Sequence, residues 1–340
     1  MPPLVTVLLD WFATHARALP WREDATPYHV WLSEILLQQT RIAAVLDAYG
    51  RFLKQYPTVE ELANGDDATL MKLWEGLGYY SRARNLKKCA QTVAERGGFP
   101  RTAEELQKLP GIGPYTAGAI AAIAFNEPAV AVDGNVARVV SRLLGRTLSR
   151  DDTADLLKPW IPAGQAGAFA QAWMELGETV CLPHGSPHCD QCPLRPHCNA
   201  LKTSRIDAFP AKTPRPARPV IPMTVFHLAS QEGRIALRQR PAKGLLAGLW
   251  EYPNCPDSLN SEQAKKWLEG QGFSVRDLAA EPATRHLFTH REWQMTNFGA
   301  TVSPELPFFT WVTPKELETQ YALPTAFRKP KNCSKSDKKS

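Results

Sequence analysis

"LPGIGPYTAGAIAA", residues 109–122, sets a Gly-x-Gly turn directly against a helix that opens on proline. Gly111 and Gly113 admit tight backbone geometry, and Pro114 suits the first helical position, where its missing N–H is no loss. The amides left unpaired at such a helix start form an anion site that needs no cationic side chain. Read alone, the stretch is either a phosphate-binding hairpin between two helices or a plain corner.

On both sides of it, residues 1–204 carry helical periodicity. "VWLSEILLQQTRIAAVLDAY" (30–49) places Trp31, Ile35, Leu36 and Ala43 near helical spacing. Similar patterns recur over 67–96, 103–109, 114–125, 135–144 and 165–180, with Gly-Pro and Gly-Gly breaks between them. A linker is predicted over 205–220, because "LKTSRIDAFPAKTPRPARPVIP" (201–222) holds five prolines and five basic residues against one acid. Beyond it "PMTVFHLAS", "GRIALRQR" and "TWVTPKEL" look like strands and "SEQAKKWLEGQG" like a helix, so residues 221–325 are expected to form an α+β domain. Residues 326–340, which hold most of the basic run "RKPKNCSKSDKKS", carry too little apolar surface to pack and are expected to be a disordered tail. The chain thus reads as multi-domain, all-α and then α+β, with no internal repeat.

Forty basic residues against 34 acidic ones leave +6, which fits a polyanionic partner without requiring one. The first apolar run stops at Asp10, and no stretch reaches the roughly 18 apolar residues of a membrane span, so a soluble, unexported protein without a membrane partner is expected. Four of the seven cysteines, Cys181, Cys189, Cys192 and Cys198, fall within 181–198 at intervals of seven, two and five residues. Clustered thiols without a secretion signal point to a metal rather than to disulfides. Zinc and an iron–sulfur cluster both fit, with His184, His188 and His197 as alternative ligands.

Two carboxylates stand in apolar surroundings. Asp133 is the one acid in "AVDGNVARVV" (131–140), placed to cap a helix beginning near Asn135 or Val136. Glu34 lies between Leu32 and Ile35, with Gln38 and Gln39 one turn on. Facing inward, it would hold a proton near neutrality; facing outward, it would be an ordinary solvated glutamate.

Together and in this order, "LPWR" (19–22), "WLSEILLQQT" (31–40), "GLGYYSRARNL" (76–86), the hairpin, "VDGNVARV" (132–139), "MELG" (174–177) and the four cysteines resemble the adenine DNA glycosylases of the MutY type, within the helix-hairpin-helix base-excision superfamily. The resemblance covers about residues 4–320. It implies a helix-hairpin-helix glycosylase domain followed by a Nudix-like domain, and removal of adenine mispaired with 8-oxoguanine or guanine in double-stranded DNA. Glu34 would be the acid and Asp133 the anion beside the sugar, with Tyr115 and Asn135 positioning them. Free N–H groups at a helix start would hold the Asp133 pKa down. Trp21, Arg22, Gln171 and Glu175 would line the pocket for extruded adenine, while Gln39 and Tyr79 wedge into the duplex. Gly111 and Gly113 would serve the phosphate site.

The resemblance also implies a [4Fe-4S] cluster on the four cysteines, with zinc as the alternative. The family's first cysteine interval is one residue shorter, a difference that Pro183, Gly185 and Pro187 can absorb. Tyr115 stands where endonuclease III-like relatives carry the lysine of a Schiff base, and Ala137 where some MutY proteins carry another, so a monofunctional enzyme is implied. "GLLAGLWEYP" (244–253) and "LFTHREWQM" (287–295) resemble the lesion-reading domain without a glutamate-rich Nudix box. Phe288-Thr289-His290 replaces the family's Phe-Ser-His loop, keeping the hydroxyl and adding a methyl. A monomer in a bacterial cytoplasm, associated with the nucleoid, is expected.

Overall fold

In the computed structural model, residues 2–211 and 216–328 are described. Helices follow in the order α1 (Pro3–His15), α2 (Pro20–Glu23), α3 (Pro27–Leu37), α4 (Ile42–Gln55), α5 (Val59–Asn64), α6 (Asp67–Leu73), α7 (Ser81–Arg96), α8 (Ala103–Leu106), α9 (Pro114–Phe125), α10 (Gly134–Leu144), α11 (Arg150–Leu157), α12 (Ala166–Thr179) and α13 (Asn199–Lys202). The described residues form two compact units, 2–65 with 81–211 and 66–80 with 216–328. Among the described residues no helix is long and apolar enough to cross a membrane.

In the first unit the hairpin helix α9 is central, packed by α3, α8 and α12. It is apolar on all sides and built from small residues, so Thr116 to Ala122 are all buried and neighbours can approach closely. At Gly118 a Cβ would overlap the carbonyl oxygen of Val130. Gly118→Ala is therefore expected to destabilise the fold by about 2 kcal/mol, read as a lower urea midpoint at unchanged slope. A second cluster joins Val5 and Leu8 of α1, Val136, Val139 and Val140 of α10, and Phe169, Trp173 and Leu176 of α12.

Two segments that read as continuous helix are broken. Residues 30–49 divide between α3 and α4, with Gln39 at φ +57° in the gap, and 67–96 divide between α6 and α7 across Gly76, Gly78 and Tyr79, all at positive φ. Gln39 and Tyr79 adopt a left-handed backbone that an L-residue disfavours, and apolar spacing carries no signal for it. In the hairpin, Gly111 lies at φ +76°, but Gly113 lies at φ −91° with open space where a Cβ would point. The tight geometry predicted for both glycines is required only at Gly111.

The second unit holds a mixed sheet of β1 (Val220–Ala229), β2 (Ile235–Gln239), β3 (Trp250–Glu251), β4 (Asn254–Cys255), β5 (Ser274–Leu287), β6 (Glu292–Ser303) and β7 (Thr310–Val312). Strand order is β3-β2-β1-β6-β5, with β4 on β1 and β7 on β2. β1 and β6 run parallel from Val220 opposite Glu292 to Ala229 opposite Thr301. Strand period two divides their side chains: Met223, Val225, Trp293 and Met295 enter one core, Phe226, Leu228, Phe298 and Ala300 the other. α14 (Ser261–Gly270) lies against β5, and α15 (Pro314–Thr319) starts on a Thr313–Glu316 capping box. The strand expected over "TWVTPKEL" therefore stops at Val312, because Thr313 and Pro314 start a helix. The tail expected from 326 does not begin there, since Ala326 and Phe327 are buried and Phe327 packs on Trp293. The predicted disorder of 329–340 and the part of the linker at 212–215 lie outside the described residues. Residues 66–80, read as part of a helical 1–204, cluster instead with the second unit.

Candidate active site

The first unit contains a cleft of about 900 Å³. Glu34, Tyr115, Asp133, Asn135, Trp21, Arg22, Gln171, Glu175, Gln39 and Gly113 all line it, while Gly111 does not; a Cβ there would come within 2.7 Å of Asn85 Cβ. Residues from five helices and three loops thus meet on one surface.

Glu34 faces inward. α3 starts where the Thr26 hydroxyl accepts the His29 N–H, and its C-terminal end is tied down by Arg82, whose Nη1 donates to the Ile35 carbonyl at 2.7 Å. Glu34 is only 6% exposed, and burial pushes its carboxyl up to about 7, with Asp133 adding to the rise. The Tyr115 hydroxyl and Arg22 lie near, both opposing the rise. The Tyr115 hydroxyl also lies 3.8 Å from Met174 Sδ. Glu34 Oε2 has no hydrogen-bond partner among the described residues.

Asp133 caps α10, as the spacing predicts. Oδ1 accepts the Val136 N–H at 2.8 Å and Oδ2 accepts from Asn135 Nδ2 at 2.8 Å. Asn135 is fixed in turn: Nδ2 also donates to Glu178 at 2.7 Å, Oδ1 accepts from Arg138 at 2.9 Å, and a Cβ on Gly177 would come within 2.6 Å of the Asn135 Cβ. The predicted lowering of the Asp133 pKa is overturned. Burial raises it, outweighing the amides of Val136 and Asn135, and the Glu178 carboxylate adds to the rise. What separates the two acids is hydrogen bonding to the charged form, which Asp133 has on both oxygens and Glu34 lacks on Oε2.

The far end of the cleft is a charged clamp around Glu175, a fully buried carboxylate. Burial alone would raise its pKa. Hydrogen bonds from Arg17 and Arg22 reverse the direction and hold it below the ordinary range. Arg17 grips both oxygens, at 2.6 and 2.9 Å, and Arg22 reaches Oε2 at 2.8 Å while its Nε donates to Gln171 at 2.9 Å. Arg17 is absent from the sequence-based assignment: its partner lies 158 positions away, and a single arginine in "ARALPWR" carries no pairing signal. Arg82 was missed for the same reason. Trp21 is buried edge-on against Tyr49, so it is both core and cleft wall.

The four cysteines, all half-buried and free of disulfides, line one small cavity with Leu176, Val180 and Leu194. His184, His188 and His197 are exposed and do not line it. Arg142 Nη1 lies 3.4 Å from Cys181 Sγ. Among the described residues no three ligand-type side chains converge closely enough to hold one metal ion.

In the second unit the Tyr79 hydroxyl hydrogen-bonds the Thr289 hydroxyl. Thr289 and His290 are exposed at the turn between β5 and β6, and Phe288 packs edge-on against Trp293 and His286.

A family model described as the HhH-GPD superfamily of base-excision DNA repair proteins matches residues 32–162, and a NUDIX domain model matches 224–330. A protein of Rattus norvegicus described as adenine DNA glycosylase is 35% identical, covering 95% of this chain and 76% of that protein. One from Homo sapiens is 34% identical over 95% and 72%. One from Buchnera aphidicola is 30% identical over 83% and 82%. Among solved structures, a thermostable thymine-DNA glycosylase superposes with TM-score 0.54 at 29% identity, over 58% of this chain and 95% of that one. An endonuclease III–DNA complex gives 0.52 at 27%, over 59% and 94%.

Proposed function

Since the chain belongs to the adenine DNA glycosylases of base-excision repair, we propose that it removes adenine mispaired with 8-oxoguanine or guanine by acid-assisted cleavage of the C1′–N9 bond, without cutting the strand. The observation that carries this reading is that Glu34 and Asp133 line one cleft in opposite hydrogen-bonding environments. Adenine leaves poorly as an anion. A neutral Glu34 donates its proton to N7 of the flipped base as the C1′–N9 electron pair passes to the ring. The cationic sugar left behind faces the Asp133 carboxylate, whose orientation Asn135 and the Val136 amide fix. Water then adds at C1′ and gives up a proton, leaving an abasic site. Arg22, Gln171 and Glu175 offer donors and acceptors to the base edge, with Arg17 holding Glu175 ionised.

Monofunctionality is supported by the wall of the cleft: among the described residues that line it there is no lysine to form a Schiff base, and Tyr115 occupies the hairpin position. Incubation with duplexes carrying adenine opposite 8-oxoguanine, adenine opposite guanine, or oxidised thymine tests both claims. Adenine should be released from the first two, with strand breaks only after alkali. Breaks without alkali, or action on the oxidised pyrimidine, would assign the cleft to a different chemistry.

The 181–198 loop is proposed to hold a [4Fe-4S] cluster. Thiols arranged around a cavity, rather than converging on one point, suit a group in which each sulfur takes a different iron. When bound, such a cluster cross-links the loop at four points and can exchange an electron. Protein isolated without oxygen should be brown and carry about four irons per chain; a colourless protein with stoichiometric zinc decides for the alternative.

A further inference from the structure

We propose that Lys72 and Glu75 are positioning residues for reading the base opposite adenine: they fasten the 66–80 segment to the C-terminal domain, so that Tyr79 and Thr289 meet DNA as one preset pair. The proposal deepens the reading above and rests on its assignment of Tyr79 and Phe288-Thr289-His290 to DNA.

In chain order residues 66–80 sit between helices of the first unit, yet they pack with the second. Their regular structure is brief. α6 ends at Leu73, and Gly76, Gly78 and Tyr79 then follow at positive φ, a conformation disfavoured for tyrosine. Such a turn keeps its shape only if something outside it does the holding.

Lys72 and Glu75 supply the hold on one side of the turn. Lys72 Nζ donates to the carbonyls of Leu317 and Tyr321 at 3.3 and 3.2 Å, capping the C-terminal end of α15, where the helix dipole favours a cation. The same ammonium pairs with Glu75 Oε2 at 3.0 Å. Glu75 Oε1 accepts the Leu323 N–H at 3.0 Å, and Oε2 pairs with Arg328 at 2.7 Å. One carboxylate thus joins two points of the C-terminal segment, and both side chains are largely withdrawn from water, where screening is weak.

On the other side of the turn, Trp74 Nε1 donates to the Gly78 carbonyl at 2.8 Å, the Tyr79 hydroxyl meets Thr289, and Arg218 Nε donates to the Thr289 carbonyl at 3.2 Å. The Tyr79 side chain remains 47% exposed, so its ring stays accessible to a nucleobase while its hydroxyl is engaged. Recognition groups hold their spacing only when their supports are fixed, and the supports here are Lys72 and Glu75.

The test uses the full chain with Lys72→Met, Glu75→Ala and both together. Binding is measured to duplexes carrying a non-cleavable adenine analogue opposite 8-oxoguanine or guanine, alongside single-turnover adenine release at saturating enzyme. The double variant should lose about fivefold in preference for 8-oxoguanine while its saturated rate stays within about twofold. In a Thr289→Val background the same pair should cause no further loss, because both changes break one unit. Lys72→Arg, which keeps a donor for the carbonyls, should retain the preference. Should the double variant fail to fold, Glu75→Gln carries the test, since it keeps an acceptor for Leu323 N–H and loses only charge. An unchanged preference, or a loss that adds to that of Thr289→Val, overturns the proposal alone. A wild-type chain with no preference for 8-oxoguanine overturns the reading beneath it as well.

Discussion

Asp133→Asn abolishes adenine release, with single-turnover rates on an A:8-oxoguanine duplex falling on the order of 10³-fold or more, while duplex binding survives. The expected size follows from what the substitution keeps. Asparagine has the shape of aspartate and can still accept the Val136 N–H, so the start of α10 is expected to stand. What disappears is the negative charge facing a sugar that becomes cationic only as the bond breaks, so the loss falls on the transition state rather than on binding. Measured by rapid quench and by fluorescence anisotropy on the same preparation, turnover within tenfold of wild type would remove Asp133 from the chemistry.

Glu34→Gln has the second largest effect, and its signs differ between activity and stability. Glutamine cannot donate a carboxylic proton to N7, so the rate should fall about 10²- to 10⁴-fold. Burial places the Glu34 pKa at about 7, so the wild-type enzyme carries the active, protonated form below that pH. The wild-type rate should fall as pH rises through 7, and the residual rate of the variant should not follow that slope. The effect of the substitution on stability has the opposite sign to its effect on activity. A folded pKa raised above the unfolded value gives stability that is complete below about pH 4.5 and is lost as pH climbs through 7. A shift of that size corresponds to on the order of 3 kcal/mol. Glu34→Gln has no proton to lose, so above pH 7 it should be more stable than wild type in urea while being far less active. A variant inactive through misfolding would lose both.

Much of the site is legible in the chain because much of it is local. A short acceptor at 133 followed by an N–H at 136, a proline at 114 after a positive-φ glycine at 111, and a glycine at 145 closing α10 in the left-handed region all act within one helical turn. The longest strands were not legible. β5 contains the alanine pair 279–280, Pro282 and two register shifts, so its residues carry no regular strand pattern along the chain. Its strand character comes from pairing with β6, a partner that periodicity cannot name.

The sequence by itself determined the local vocabulary: which residues cap, which turn, which thiols cluster, and which two acids stand among apolar neighbours. The tertiary structure alone decided how those acids differ, because desolvation depends on every atom around a carboxyl. It withdrew Asp133 from water far enough to raise a pKa that its helix position argued should fall. It also turned Glu34 inward and brought Arg17 onto Glu175 across 158 positions. Burial and long-range charge pairing are sums over a folded surround, and no spacing rule along the chain contains them.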